Sequence, residues 1–445
     1  MKSIVNVLLA SAVFFPFEAV SGESSSQQLE PKMASFDSAV LQMQGGPLTL
    51  EGALDIALKN NPSLAAWGHQ IAADEALLEG DEAYPNPELG VDVEDFLGSG
   101  ETRGVDALQV TASLSQEVQL GGKPGARREV KKARKEISTL EYQIEKQLLM
   151  SDVATAFLDV LAHERRLANA QEVALLAEET VRSFEYQVEA GRGTPIEVDK
   201  AAIVFSLASL AKEQAQRARH TARQRLAAVC GKEQIFFGEL EGSLETIAPL
   251  HSLDALLERI EDSPTVMARV AELRHKKALF ELARANRVPD VSLTLGYRWI
   301  NAAKDSAVVA GVAMPLPFVN RNQGPIGAAA ELRDKSGKES EHKRIQLVRE
   351  LIETHNLLAM EQKRATVLRK EIYPKAEATF EAVKEGHRIG RFGYLDLLDA
   401  QRTLFEVKEQ ALEALIAYQR TAIRIARIAA LPISPDMFAE KNGRE

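Results

Sequence analysis

The chain has 445 residues, of which 45% are hydrophobic and 27% charged, and its formal net charge at pH 7 is −10. An acidic balance without a dominant basic stripe argues against a nucleic-acid partner. Cys230 is the single cysteine, so no intramolecular disulfide can form. Because it ends a helical run, we predict a buried small hydrophobic residue rather than a reactive thiol.

The first 22 residues have the pattern of a secretory signal peptide. A lysine at position 2 precedes an apolar stretch from Ile4 to Phe17, and small residues follow up to Gly22. We predict a flexible Ser/Gln-rich segment over 23–47. No later stretch reaches the roughly 18 consecutive apolar residues of a transmembrane helix. The mature protein is therefore expected to be exported, and to enter a membrane only as β-structure.

The rest of the chain consists of two similar sequence repeats. Three segments return in order, with similar residues: Leu50–Pro62 as Leu253–Pro264, Pro87–Val93 as Pro289–Leu295, and Gly191–Glu197 as Gly390–Asp396. We predict a first repeat over 48–231, a second over 252–432, and a C-terminal tail over 433–445. Function is then expected where the two copies meet or where they differ.

Two alternating strands are predicted in each repeat, at about 87–97 and 105–119, and again at about 290–300 and 307–318. One face is apolar; the other carries Asp92, Glu94 and Arg298. The pattern fits either a soluble sheet with one buried face or a membrane sheet with a wet lumen. In lipid an open edge is not tolerated, so several chains would have to contribute, and three would supply a 12-stranded barrel.

A very long helical hairpin follows each strand pair. From Ala126 to Ala190 there is neither Gly nor Pro, which allows a helix on the order of 100 Å long at ~1.5 Å per residue. Its apolar residues recur at spacings of three and four with one phase shift, typical of a coiled coil. A return helix is predicted from Ile196 to about Val229, and the second repeat predicts the same hairpin.

No catalytic motif or cofactor motif is present, so the sequence does not predict an enzyme. The eight histidines are dispersed: none pairs with another at a spacing of four residues, and none has a cysteine partner. No metal site is therefore predicted.

The second hairpin tip, Gly390–Ala400, carries the densest group of chemically distinctive residues. Asp396 and Asp399 are three residues apart, so they share one face of a helical first turn. Two interpretations are open. First-turn carboxylates can simply stabilise the helix dipole, at about 0.3–1 kcal/mol each. In an oligomer the same carboxylates would form an acidic ring at a pore mouth.

The order of elements, given twice with a G-x-x-x-x-[IL]-[DE] tip, resembles the TolC-like outer-membrane efflux family over about residues 48–432. The resemblance implies an α+β fold, mostly α: a homotrimer whose 12-stranded barrel sits in outer-membrane lipid and continues into a periplasmic α-helical tunnel. It also implies that a periplasmic membrane-fusion adaptor docks on the tips and that an inner-membrane resistance-nodulation-division (RND) pump drives export.

The residues implied by this resemblance follow from the tip motif. The gate would be Asp396 and Asp399, where the first repeat has Glu197 and Lys200. The adaptor-docking residues would be Gly191, Arg192, Thr194, Pro195, Ile196 and Glu197 in the first tip, and Gly390, Arg391, Tyr394 and Leu395 in the second. Asp92, Glu94 and Arg298 would face the barrel lumen.

Two turn segments, Gln116–Arg127 and Pro315–Gly324, are similar to the heavy-metal, CzcC-like branch of that family. This similarity implies export of cobalt, zinc, cadmium or related cations. Multidrug efflux and type I secretion remain alternatives within transport. An exported coiled-coil scaffold is the alternative of another class, although it leaves the four alternating strands unexplained.

Overall fold

The computed structural model describes residues 47–80, 85–433 and 438. The predicted signal peptide, nearly all of the 23–47 segment and most of the C-terminal tail lie outside the described residues. Within them, the predicted α+β, mostly α fold with four strands and two long helical hairpins is confirmed.

One antiparallel sheet joins the two repeats. Its strands are β1 (Glu88–Glu94), β2 (Gln109–Val118), β3 (Val291–Ile300) and β4 (Asp305–Ala313), in the spatial order β1-β2-β3-β4. The central pairing, β2 with β3, places Val118 opposite Val291 and so connects the repeats. Consequently β1 and β4 each have one free edge.

The two faces of the sheet differ in chemistry. One row across all four strands consists of Leu89, Leu114, Leu295 and Ala310, and the next of Val91, Ala112, Tyr297 and Val308. Most of these side chains are exposed, as in Leu89 (76%) and Val308 (72%). The opposite face carries Asp92, Thr111 and Arg298 in one row. Alternation of the strand side chains explains the separation.

β4 ends five residues before its predicted end at 318. Residues 315–318 extend past the start of β3, because Val291, its first residue, falls opposite Met314 in this register. Pro315 and Pro317 also lack the amide hydrogen that a sheet ladder requires. Met314, Leu316 and Phe318 therefore remain exposed in the single chain.

The first repeat begins with α1 (Leu50–Asn60) and α2 (Pro62–Glu79), separated by Asn61, whose side chain caps α2. After the strands comes α3 (Lys123–Glu189), a continuous α-helix of 67 residues despite the predicted phase shift. α4 (Pro195–Val229) returns antiparallel and packs along it.

The second repeat contains α5 (Leu253–Ile260), α6 (Pro264–Ala285), α7 (Gln323–Val367), α8 (Tyr373–Arg388) and the return helix α9 (Tyr394–Ile428). A π-helical turn over Leu368–Ile372 separates α7 from α8, just before Pro374. Proline lacks the amide hydrogen of the regular ladder, and a local widening of the helix accommodates this.

The largest core lies halfway along α3 and at the C-terminal ends of α4 and α9, far from the hairpin tips. Val153, Phe157 and Val160 of α3 are fully buried there, together with Leu226 of α4 and Ile423 of α9. Cys230 belongs to the same cluster, and its buried thiol lies 3.6 Å from the carbonyl oxygen of Ala53. The tips lie beyond this core, so local contacts and contacts between helices must organise them.

Candidate functional site

The first tip is built from two local motifs. α3 ends in a Schellman turn: Gly191 has a φ of +69°, and the amide of Arg192 donates to the carbonyl of Gln187 at 2.8 Å. α4 then begins with a capping box in which the Thr194 amide donates to Glu197 Oε2 at 2.9 Å. Hydrogen bonds from the Thr194 backbone and then its hydroxyl lower the pKa of Glu197.

The second tip repeats the first turn with a different contact. Gly390 has a φ of +77°, and the Arg391 amide donates to the carbonyl of Gly386 at 2.8 Å. The ring of Phe392 folds back onto Gly386, where a Cβ atom would lie 2.7 Å from Phe392 Cε2. A glycine is therefore required at position 386 for this ring to pack.

Asp396 occupies the same capping position as Glu197. Its Oδ2 accepts the amide hydrogen of Gly393 at 2.9 Å. The cap is thus common to both tips, as the helix-dipole interpretation expects. The two tips differ at the next position on that face, where the first has Lys200 and the second Asp399.

Asp399 is exposed and accepts a hydrogen bond from Nη2 of Arg402, one turn along α9, at 3.2 Å. Asp396 and Asp399 line one groove of about 500 Å³ between α8 and α9, with Lys375 and Thr379 on the opposite wall. The structure therefore brings the two predicted gate carboxylates together, and adds two cations that sequence reasoning had not considered. Arg402 could have been identified from the sequence, because it follows Asp399 by three residues and therefore lies on the same helix face.

Tyr394 links the two hairpins. Its ring stands edge-on to Phe184 of α3, with ring centroids 4.4 Å apart. The hydroxyl is buried without a hydrogen-bond partner among the described residues, and burial raises its pKa. Tyr394, expected as an adaptor-docking residue, is therefore partly covered in the single chain.

The residues that follow the two helix starts are apolar and exposed. Ile196 follows Pro195 and is 65% exposed, and Leu395 follows Tyr394 and is 77% exposed. Of the predicted docking residues, these two present the largest apolar side chains to solvent at equivalent places.

Ion pairs join α9 to α3 above the tips. Arg166 Nε donates to Glu409 at 3.0 Å and its guanidinium also pairs with Glu413. Lys408 pairs with Glu172 at 2.8 Å. The sequence could not reveal these pairs, because their members are far apart along the chain and only the packing of one hairpin on the other brings them together.

On the polar face of the sheet, Arg298 connects three strands. Its guanidinium donates to Thr111 Oγ1 at 2.9 Å and to Gln109 Oε1 at 3.3 Å, and lies 3.4 Å from Glu94. The structure thus joins Glu94, one row away, to Arg298, while Asp92 lies in the same row as Arg298, opposite Thr111.

His355 and His387 of the second repeat, which occupy the places of Ala156 and Val188 in the first, contact backbone atoms. A ring nitrogen of His355 lies 3.0 Å from the carbonyl of His251, and one of His387 lies 3.0 Å from the carbonyl of Phe392. Over the described residues, no three His, Cys, Asp or Glu side chains form a group that could hold a metal ion. Nor is any helix in that part of the chain both long and apolar enough to cross a membrane.

Comparison with known proteins agrees with this architecture. The chain is 33% identical over 383 residues to the cobalt-zinc-cadmium resistance protein CzcC of Cupriavidus metallidurans, which covers 86% of this chain and 90% of that protein. The fold of the present chain is similar to that of a membrane protein from Pseudomonas aeruginosa (TM-score 0.74, 19% identity, 85% of this chain and 92% of that chain). It is also similar to the Campylobacter jejuni outer membrane channel CmeC (TM-score 0.72, 16% identity, 88% and 87%).

The sequence matches the family described as outer membrane efflux protein over residues 53–232 and 256–431, which are the two repeats. The predicted TolC-like resemblance and outer-membrane localisation are thereby confirmed. The chain belongs to the outer membrane efflux protein family, whose members are channel proteins and not enzymes.

Proposed function

We propose that this protein is the exit duct of a tripartite RND efflux system that exports heavy-metal cations. The observation that carries the proposal is the 33% identity to CzcC over 90% of that protein, whose name specifies resistance to cobalt, zinc and cadmium. The duct is passive: it supplies a path through the outer membrane, and a periplasmic adaptor and an inner-membrane pump supply selection and energy.

The working unit is a homotrimer. Beyond the tip, α4 carries a stripe of exposed apolar side chains spaced by four and three residues: Ile203, Leu207 and Leu210. This spacing is typical of a coiled-coil seam, and burying the seam requires another helix. The sheet likewise has two free edges, which copies of the chain can satisfy by pairing with one another.

The gate is the set of aspartates at the second tip. In a trimer, three copies of Asp396 and Asp399 would surround the periplasmic entrance, where negative charge attracts cations and holds them. Asp399 is the residue that distinguishes this tip from the first, because Asp396 shares its capping contact with Glu197. Arg402 pairs with Asp399, and Lys375 lines the opposite wall of the same groove, so both cations can offset the negative charge when no cargo is present.

Opening moves α9 and α8 relative to α3. The contacts at stake are the ion pairs of Arg166 and Lys408 with glutamates across the two hairpins. These side chains are partly exposed, and such ion pairs contribute about 0–1 kcal/mol each. They therefore hold the closed state weakly enough to be broken and formed again. The adaptor docks on the exposed Ile196 and Leu395 and supplies the free energy that separates the hairpins.

The test of cargo is a strain that lacks this protein. We expect lost tolerance to cobalt, zinc or cadmium salts, restored when the wild-type chain is supplied. Loss of tolerance to organic antimicrobials alone would support multidrug efflux, and failure to secrete a protein would support type I secretion. Unchanged tolerance to all three metals contradicts the metal proposal.

The test of the gate uses purified protein in planar bilayers. Asp396→Asn with Asp399→Asn should raise conductance and weaken block by multivalent cations added on the periplasmic side. Glu197→Gln with Lys200→Gln, at the matched positions of the first tip, should leave both properties near wild type. Equal conductance and equal cation block in the two double variants would show that Asp396 and Asp399 do not form the gate.

A further inference from the structure

The two repeats correspond residue by residue across the sheet. Val91 lies opposite Ala112 in the first repeat, and Leu293 lies opposite Val312 in the second. The residue before each long helix, Gly122 in one case and Asn322 in the other, adopts the left-handed conformation with φ of +72° and +60°. Each repeat therefore has an equivalent junction between its second strand and its long helix.

The first junction is occupied by the chain itself. The start of β3 lies on it, with the Asp290 carboxylate 2.6 Å from Lys123 Nζ and 2.9 Å from the amide of Leu120. The side chains of Lys123 and Asp290 are only 10% and 24% exposed. Val288 packs so closely on Gly121 that a Cβ at position 121 would lie 2.7 Å from Val288 Cβ.

The second junction is an open groove in the single chain. It has a volume of about 530 Å³ and is lined by Arg287, Phe318, Val319, Arg321, Gln323 and Ile326. Phe318 is 76% and Val319 89% exposed. The segment equivalent to the start of β3 is the start of β1, which belongs to the opposite edge of the same sheet and therefore cannot occupy this groove.

We propose that the groove of one copy seats the Pro87–Glu88 segment of a second copy, with the Glu88 carboxylate held by Arg321. The proposal rests on the homotrimer of the proposed function and assigns a specific contact within it. Glu88 corresponds to Asp290, as their shared Pro-acid sequence shows. Gln323 stands in the place of Lys123, and the cation is supplied instead by Arg321, which aligns with Gly121 but lacks its left-handed backbone conformation.

The free edges support the same arrangement. Within the chain, Val118 of β2 lies opposite Val291 of β3. Transferred to the second repeat, this register places Phe318 opposite Leu89 of the second copy, and Leu316 opposite Val91. Phe318 and Leu89 are each 76% exposed, and Leu316 and Val91 are 60% and 62% exposed, so pairing would cover four large apolar side chains.

The helices agree with this placement. α6 packs against both α3 and α7, whereas α2, its counterpart in the first repeat, packs along α3. Seating Glu88 of a second copy on the groove would bring that copy's α2 beside α7 and give it the missing neighbour. Pro315 and Pro317 offer no amide hydrogens to the paired edge, which leaves the carboxylate contact to set the register.

Disulfide trapping tests the register in a Cys230→Ala background. Leu89→Cys with Phe318→Cys should give covalent dimers and trimers under mild oxidation, because directly opposed Cβ atoms in a sheet lie about 4.5–5.5 Å apart. Each single-cysteine variant should stay monomeric on a denaturing gel. Val93→Cys with Phe318→Cys, four residues out of register, should not link.

Charge reversal tests the role of Glu88. We expect Glu88→Arg or Arg321→Glu to lower the 89–318 linking yield about 10-fold, and the two reversals together to restore it. Lys338→Glu, at an exposed lysine farther along α7, should leave the yield unchanged. Reversals without effect on yield would overturn the assignment of Glu88 and Arg321.

Mass measurement in detergent separates this inference from the homotrimer on which it rests. A trimeric wild-type protein whose 89–318 variant fails to link overturns the register and the seated segment only. A monomeric wild-type protein overturns the homotrimer itself, and this inference with it.

Discussion

The ring of Tyr394, the first residue of α9, stands edge-on to Phe184 near the end of α3, with centroids 4.4 Å apart. This is an aromatic contact between the second hairpin and the first, close to both tips. It ties the helix that carries Asp396 and Asp399 to the helix that precedes the first tip. Separation of the hairpins must break it.

We predict that Tyr394→Ala loosens the second tip, because an edge-on aromatic pair contributes about 0.5–1.5 kcal/mol beyond the area that it buries. Trypsin should then cut after Arg391 faster than in wild type, while cleavage after Arg192 changes less. Tyr394→Phe keeps the ring and removes a buried hydroxyl without a partner among the described residues, so it should be neutral or slightly stabilising. A Phe variant as labile as the Ala variant would contradict the ring contact.

A second prediction concerns Gly386, which is in contact with the ring of Phe392. In Gly386→Ala the new methyl group would collide with that ring, so Phe392 must leave and the turn at Gly390 should loosen. Gly337→Ala is the matched control, because position 337 is helical with open space around it. The control should gain about 0.5–1 kcal/mol from helix propensity. Thermal unfolding and cleavage after Arg391 measure both, and equal effects of the two changes would show that the Phe392 contact is unimportant.

A third prediction is a pH dependence at the first tip. Hydrogen bonds from Thr194 lower the pKa of Glu197, so the folded tip favours the ionised carboxylate. The stabilisation is fully present above the unfolded-state pKa, about 4.3 for glutamate, and is lost as the pH falls through the lower folded-state value. Hydrogen exchange over residues 194–200, corrected for intrinsic rates, should therefore lose protection below about pH 4.3.

In Glu197→Gln the same amides should be less protected at neutral pH and should show no titration in this range. Persistence of the wild-type pH profile in that variant would assign the effect to another group.

A fourth prediction concerns Arg298 on the polar face of the sheet. Arg298→Ala removes the donor to Thr111, which is only 4% exposed, and leaves Glu94 without its cation. A buried hydroxyl that loses its partner costs about 1–3 kcal/mol, so the temperature at which the protein unfolds in detergent should fall. Arg298→Lys should recover only part of the loss, since an ammonium group cannot reproduce the planar fork. Full recovery of the unfolding temperature by lysine would show that only the positive charge at position 298 matters.

Sequence reasoning succeeded where structure is local or periodic. The duplicated segments, the alternation of Leu89, Val91 and Val93, and the absence of Gly and Pro before Ala190 predicted the strands and the long helix. The return helix predicted from Ile196 to about Val229 also agrees with α4, which begins one residue earlier at Pro195. Asp396 and Asp399 could be paired from their spacing alone, but the capping contact of Asp396 with Gly393 was left open between two interpretations.

What sequence reasoning missed depends on packing between distant segments. In the sequence Phe184 is one of many apolar residues on a helix, and only the packing of the second hairpin brings Tyr394 into contact with it. In the sequence Arg166 and Lys408 resemble ordinary surface charges, and only the packing of α9 along α3 gives them their glutamate partners. The predicted end of the fourth strand at 318 depended on a partner strand that the single chain does not provide.

The sequence by itself determined the two-repeat plan, the alternating strands, the length of the helices and the positions of the tips, because hydrogen bonding and side-chain periodicity within one element decide these features. Only the tertiary structure decided which residues of one repeat meet those of the other: Asp290 on Lys123, Tyr394 on Phe184 and Arg298 on Glu94. These contacts join residues 167, 210 and 204 positions apart along the chain. Their selection depends on the packing of whole elements, which no local pattern encodes.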